Sequence, residues 1–278
     1  MMWVDALTSI QVQIDDEIGL ASVRLEHGKA NEFGTLQLRE LEWIVEAVAA
    51  DPALRTLLIY STKLTSRGRR IFVAGANVTE RVGWTDEDVR AHVLWQRGIL
   101  LRLRALGVFT VMLVDGLALG LGTELLLTAD CRIATPHARF SLPETGLGIV
   151  PGALGTAELA AVVGPANALY LGMTGEMIDG ETAARMGLVQ RNIPDQEAGL
   201  ALAKKMAQSV FRRSPRAVAA FKAAVQAGIG QELEVRVQLE REAYEGLVAG
   251  GDAAVGRASF SLIREGKTPP WPARGVPE

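Results

Sequence analysis

Between residues 109 and 135 the chain passes from apolar runs to glycine clusters and back, and few folds accept that order. Residues 109–114 are apolar but for Thr110, the pattern of a strand buried in a core. They run into Gly116-Leu117-Ala118-Leu119-Gly120-Leu121-Gly122-Thr123-Glu124. A helix over 124–129 and a second strand over 131–135 follow. Two more clusters repeat the theme, Ile71-Phe72-Val73-Ala74-Gly75-Ala76-Asn77-Val78 and Leu142-Pro143-Glu144-Thr145-Gly146-Leu147-Gly148-Ile149-Val150-Pro151-Gly152. Strands that end in glycine turns and reopen as helices require a mixed core, α/β or α+β, with short connections.

The rest of the chain fits this frame. Residues 10–14 alternate polar and apolar, and 20–25 read as their partner strand. Residues 37–50 are spaced as a helix, with Leu38, Leu41, Ile44, Val45 and Val48 on one face. Strands follow at 54–60 and 70–74, then a helix over 86–106. From 153 onward helices dominate, at 153–163, 165–173, 179–186, 197–211, 215–227, 232–248 and 253–264, with one short strand at 189–193. The tail from Thr268 carries Pro269, Pro270 and Pro272 and cannot be helical. The expected organisation is a mixed core over 1–195 and a helical region over 196–278.

Composition narrows the function classes. A chain of 278 residues, 49% apolar, buries a sizeable core without staples. Its net charge of −3 gives a nucleic-acid partner no basis. The local basic run Arg67-Gly68-Arg69-Arg70 reads as a solvated turn or as a contact for substrate phosphates. Cys131 is the single cysteine, so there is no disulfide framework and packing is its expected role. Asp115 and Glu124 interrupt the most apolar segment, and no basic stretch leads into an apolar run at the start of the chain. A cytoplasmic protein with no membrane contact is the expectation.

Glu124 and Glu144 are acids among glycines and aliphatics. Burial there favours the protonated form, and two such acids on one cavity can activate and protonate a small molecule between them. Ala76 and Leu121, each following a glycine, are candidate main-chain N–H donors from separate loops. Such a pair can hold a carbonyl oxygen as it gains negative charge. Other readings fail. Gly120-Leu121-Gly122-Thr123-Glu124-Leu125 ends in Leu where a dinucleotide fingerprint needs Gly or Ala. There is no Gly-x-Ser-x-Gly elbow. Gly266-Lys267-Thr268 lacks the earlier glycine of a phosphate loop, and His27, His92 and His137 have no metal-ligand spacing.

Together the three clusters resemble the crotonase superfamily, the enoyl-CoA hydratases and isomerases. The strongest span is 114–156. Residues 72–78 are similar to the family's first oxyanion loop, and Thr174-Gly175 with Ala183-Ala184-Arg185-Met186-Gly187-Leu188-Val189 to its later helix-to-strand signature. The resemblance implies a crotonase/ClpP-like α/β fold, a spiral of ββα units with a C-terminal helical trimerisation region. It implies a homotrimer or dimer of trimers, an acyl-CoA thioester as substrate, and no resident metal or cofactor. Ala76 and Leu121 take the oxyanion positions, and Glu124 and Glu144 the two acids of a hydratase. Lys29, Ala30, Ala74, Asn77, Val78 and Thr79 take positions that approach the CoA or the substrate, and Lys267 lies in a tail that can approach a neighbouring subunit's nucleotide.

Retention of both acids implies addition of water to a 2-enoyl-CoA. An isomerase, hydrolase or decarboxylase of the superfamily is the alternative, and a non-catalytic or RNA-binding homologue is the reading from another class. Two positions depart from the pattern. Leu121 stands where glycine is frequent, keeping the N–H but adding a side chain that bears on the acyl pocket. Asn77 stands where Asp is common. The variable segment 79–98, with Trp84 and Trp95, is the expected source of the acyl pocket; Trp at helical spacing also reads as core.

Overall fold

The computed structural model describes residues 7–275. In chain order the strands are β1 (Ile10–Asp15), β2 (Leu20–Leu25), β3 (Thr56–Ser61), β4 (Ile71–Val73), β5 (Phe109–Val114), β6 (Leu117–Leu119), β7 (Cys131–Ala134), β8 (Arg139–Ser141), β9 (Ile178–Asp179) and β10 (Arg191–Asn192). The helices are α1 (Thr35–Ala50), α2 (Asp86–Ala105), α3 (Leu121–Leu127), α4 (Gly155–Val163), α5 (Pro165–Thr174), α6 (Gly180–Arg185), α7 (Gln196–Phe211), α8 (Pro215–Gly228), α9 (Leu233–Ala249), α10 (Asp252–Ala258) and α11 (Phe260–Arg264).

Two sheets share the strands. One runs β1-β2-β3-β5-β7-β10, the other β4-β6-β8-β9. Neighbours are parallel except at the β1–β2 and β8–β9 pairs. Each turn of the chain lays a strand in the first sheet, the next in the second, and then adds a helix: β3, β4, α2; β5, β6, α3; β7, β8, α4. This is the expected spiral of ββα units. Gly116 makes the corner between β5 and β6 with φ +134°, and a Cβ there would stand 2.3 Å from the carbonyl of Arg70, in the turn before. Successive turns stack because that position has no side chain.

The sequence reading leaves β6 inside a glycine-rich loop and assigns no element to 139–141, where β8 lies. Each is three residues long, and its strand character comes from parallel pairing to a neighbour, Leu119 against Ser141, rather than from local pattern. The expected helix over 253–264 is two, α10 and α11, separated at Ser259.

The main core lies between the sheets and the inner helices. Leu38, Leu41, Ile44, Val45 and Val48 of α1 are all buried in it, as their spacing predicts. The outer face of the first sheet is covered by α7, where Gly199, Ala203 and Ala207 recur every four residues. A Cβ at Gly199 would sit 2.6 Å from Leu113 and Ile193, so the small residues set how closely the helix approaches. Cys131 is packed under α7, its sulfur 3.9 Å from that of Met206.

Farther on, α8 is tied to the core by the buried Lys222, whose ammonium donates to Asp130 at 2.8 Å and to the Val108 carbonyl. Between α8 and α9 lies an apolar groove of about 710 Å³, with Phe221, Val225, Ile229, Tyr244 and Leu247 on its walls. Among the described residues no helix is long and apolar enough to cross a membrane.

Candidate active site

Three neighbouring parallel strands, β4, β6 and β8, end at one place, and each ends in a functional loop. Such carboxyl edges are where α/β sheets present ligand sites. After β4 the chain makes Gly75 (φ +116°) and Ala76; after β6 it makes Gly120 (φ +51°) and Leu121; after β8 it reaches Glu144. The first two loops touch, with the Leu119 carbonyl 3.5 Å from where a Gly75 Cβ would be.

Among the described residues, neither the Ala76 nor the Leu121 N–H donates to a main-chain or side-chain acceptor. Leu121 opens α3, and the first N–H groups of a helix have no intrahelical acceptor. Its side chain is buried in the main core. Leu121 itself is helical, while Gly120 carries the left-handed backbone and Gly122 the close contact: a Cβ at 122 would meet the Val73 carbonyl at 2.3 Å. The position that departs from the family's glycines is the one whose geometry accepts a side chain.

The two carboxyls have different surroundings. Glu124, on α3, is buried, and its Oε1 accepts from the Ala153 N–H at 2.7 Å and the Gly155 N–H at 3.0 Å. Burial pushes its pKa up, opposed by those two N–H groups and by the positive charge of Arg97. Glu144 is also buried, in a single 3-10 turn, and its Oε2 has no hydrogen-bond partner among the described residues. Burial, opposed by its own main-chain N–H and helped by the charge of Glu124, pushes the Glu144 pKa up to about 7. A Cβ at Gly120 would lie 2.7 Å from Glu144 Oε1, so this glycine also makes room for the acid. The arrangement holds one carboxylate against two donors, poises one carboxyl to carry a proton near neutrality, and leaves two main-chain N–H groups free beside them.

Of the other expected site residues, Ala30 and Ala74 come together, the Ala74 N–H donating to the Ala30 carbonyl at 3.2 Å. The next residue, Asn31, has φ +50°, and its buried amide donates to Leu25, Ser61 and Phe72, fixing this loop to three strands. Asn77 caps the turn that follows β4, accepting from the Thr79 N–H and hydroxyl. Lys29, Val78 and Thr79 are exposed on these loops. Lys267 is exposed and pairs with Glu265 within this chain. The basic run is not at the site: Arg70 lies at the opposite end of β4, paired with Asp115 at 2.6 Å. Trp95 is tied to α1 through Glu42, in the manner of a core residue, and its ring and that of Trp84 both pack edge-on against His92.

Sequence reasoning missed the residues that hold Glu124. Ala153 and Gly155 flank Leu154, a non-glycine residue at φ +84°. Such strain costs of order 1–3 kcal/mol and collects at functional sites. The available signal was the turn Pro151-Gly152 directly ahead of a helix, where free N–H groups are expected.

The family model for enoyl-CoA hydratase/isomerase matches residues 15–273. The chain belongs to the enoyl-CoA hydratase/isomerase family. It is 32% identical over 248 residues to the crotonyl-CoA hydratase of Syntrophomonas wolfei, covering 89% of this chain and 93% of that one. To the short-chain-enoyl-CoA hydratase of Clostridium acetobutylicum it is 31% identical over 234 residues, covering 84% and 87%. The fold is similar to a crystal structure of an enoyl-CoA hydratase from Bacillus anthracis, with a TM-score of 0.85 and 30% identity over 95% of this chain and 99% of that one. Within this enoyl-CoA hydratase/isomerase family member, the three strand-end loops lie in the part of the chain that the family model spans.

Proposed function

We propose that the protein adds water across the 2,3 double bond of a 2-enoyl-CoA thioester. The unequal acid pair carries this reading: Glu124 is held against two N–H groups, while Glu144 is buried and titrates at about 7. Glu124 orients a water and takes its proton as the oxygen attacks the β-carbon. The π electrons move onto the thioester oxygen, which the Ala76 and Leu121 N–H groups receive as an enolate. Glu144, protonated, delivers its proton to the α-carbon and the thioester re-forms. The sum is one water added, with no metal or redox cofactor called on. Lys29, Ala30, Ala74, Asn77, Val78 and Thr79 bind the CoA thioester in this proposal, the working form is a homotrimer or dimer of trimers, and the protein resides in the cytoplasm.

The test follows crotonyl-CoA and longer enoyl-CoAs by loss of enoyl absorbance, with product mass read in parallel. The expected product is one water heavier. A product of unchanged mass, or Glu144→Gln with full activity, overturns the reading.

A further inference from the structure

Arg97 is an exposed arginine on α2 that makes one hydrogen bond, from Nε to the Gly152 carbonyl at 2.7 Å. Its neighbours one turn away, Val93, Leu94, Leu100 and Leu101, carry no charge. Among the described residues it makes no ion pair. The helix beneath it is well rooted, with Ile99, Leu100 and Leu103 fully buried.

The carbonyl it binds is half of a peptide group whose other half matters. The Gly152 C=O and the Ala153 N–H belong to one planar amide, and that N–H is the 2.7 Å donor to Glu124 Oε1. The order in space is guanidinium, carbonyl, amide N–H, carboxylate.

We propose that Arg97 is a positioning residue for Glu124, acting through the single peptide group 152–153, and this rests on the hydratase reading above. Hydrogen bonds in series polarise one another, so a cation on the carbonyl makes the N–H a stronger donor and favours the ionised carboxylate. The bond also fixes the plane of the amide beside Leu154, whose left-handed backbone gives the loop little tolerance for drift. Both donors fall on Oε1, which leaves Oε2 for the water.

The positive charge of Arg97 also acts on the Glu124 carboxyl in the required direction, lowering its pKa against the effect of burial. Few other groups contribute. α3 packs chiefly against β4, β6 and α4. β4 and β6 carry no titratable residue, and on α4 Glu158 is paired with Arg104 at 3.0 Å. Glu144 is the other ionisable group at the site, and there it is the charge of Glu124 that raises the Glu144 pKa.

The experiment has two arms on wild type, Arg97→Ala, Arg97→Gln and Arg97→Lys, each checked for an unchanged fold by circular dichroism. In the first, the Glu124 carboxyl is titrated by carbon NMR with labelled glutamate, assigned with Glu124→Gln. Its pKa is expected to rise by about half a unit to one unit in the Ala and Gln variants, less than the 1–3 units of a direct ion pair, and to return towards wild type with Lys. In the second, kcat for crotonyl-CoA is expected to fall about three- to tenfold at slightly acidic pH with KM little changed, the loss shrinking as pH rises. An unmoved Glu124 titration in Arg97→Ala, or a loss equal at all pH values and in all three variants, overturns the proposal. A shifted titration in a protein whose wild type hydrates no enoyl-CoA leaves the role of Arg97 standing and sinks the hydratase reading alone.

Discussion

At the scale of residues, the site works by giving two identical side chains different proton affinities. Glu144 gains its affinity mainly from burial. If it is the acid, kcat falls as pH rises through about 7, and Glu144→Gln lowers kcat by about 10²–10⁴-fold, read by steady-state assay. The same group makes folding pH-dependent. Its pKa is raised above the ordinary 4.5, so the folded state binds the proton more tightly than the unfolded chain. Stability from this group is full below about 4.5 and is lost as pH rises through about 7. Urea unfolding at about pH 5 and about pH 8 should therefore show a smaller decline with pH in Glu144→Gln than in wild type. Both acids were legible in the sequence because an acid without partners in a glycine-rich apolar segment is anomalous. Arg97 was not, since one more arginine on a surface helix has no signature until the carbonyl it binds is known. Leu121 was legible as an exception but not in its consequence. Its side chain points into the core, so Leu121→Ala is expected to cost about 2–5 kcal/mol of stability while the N–H remains. Gly122→Ala, a smaller change, must push against the Val73 carbonyl at 2.3 Å and should abolish activity. Thermal melts set against turnover numbers separate the two.

At the scale of elements, the first sheet was readable, and of the second only β4 was. β3 and β5 are six-residue strands whose mostly apolar composition announces them, and the α1 stripe is equally plain. β6 and β8 are three residues each, and what makes them strands is the turn of spiral on either side. Local propensity cannot report a partner more than twenty residues away. Two of the three functional loops sit at the ends of these unreadable strands, so the site's residues were visible before its geometry was. The close approach of α7 is the element-scale feature open to test. Gly199→Ala should lose about 1–3 kcal/mol by overpacking against Leu113 and Ile193. Exposed Ala201→Gly on the same helix should lose only about 1 kcal/mol, through helix propensity. Chemical denaturation of the pair distinguishes packing from propensity.

At the scale of the whole molecule, the C-terminal helices are tied to the core by several polar contacts and are apolar between two of these anchors. The first anchor is Lys222 on Asp130. The second is the tail, where Trp271 donates to the Arg212 carbonyl and the buried Arg274 donates to the carbonyls of Val48 and Asp51 at the end of α1. Between the anchors Phe221, Ile229 and Tyr244 are exposed along the α8–α9 groove. An apolar patch held rigidly at the surface is the signature of an interface, and a net charge of −3 does little to keep copies apart. The anchors and the patch make separable predictions. Arg274→Ala removes the tail's hold on α1 and should lower the melting temperature by several degrees without changing mass in solution. Phe221→Glu places a charge on the groove wall while leaving both anchors intact. Light scattering should then give the mass of three or six chains for wild type and of one chain for this variant. A wild type that is monomeric at working concentration removes the trimer from the proposal and leaves the groove needing another occupant.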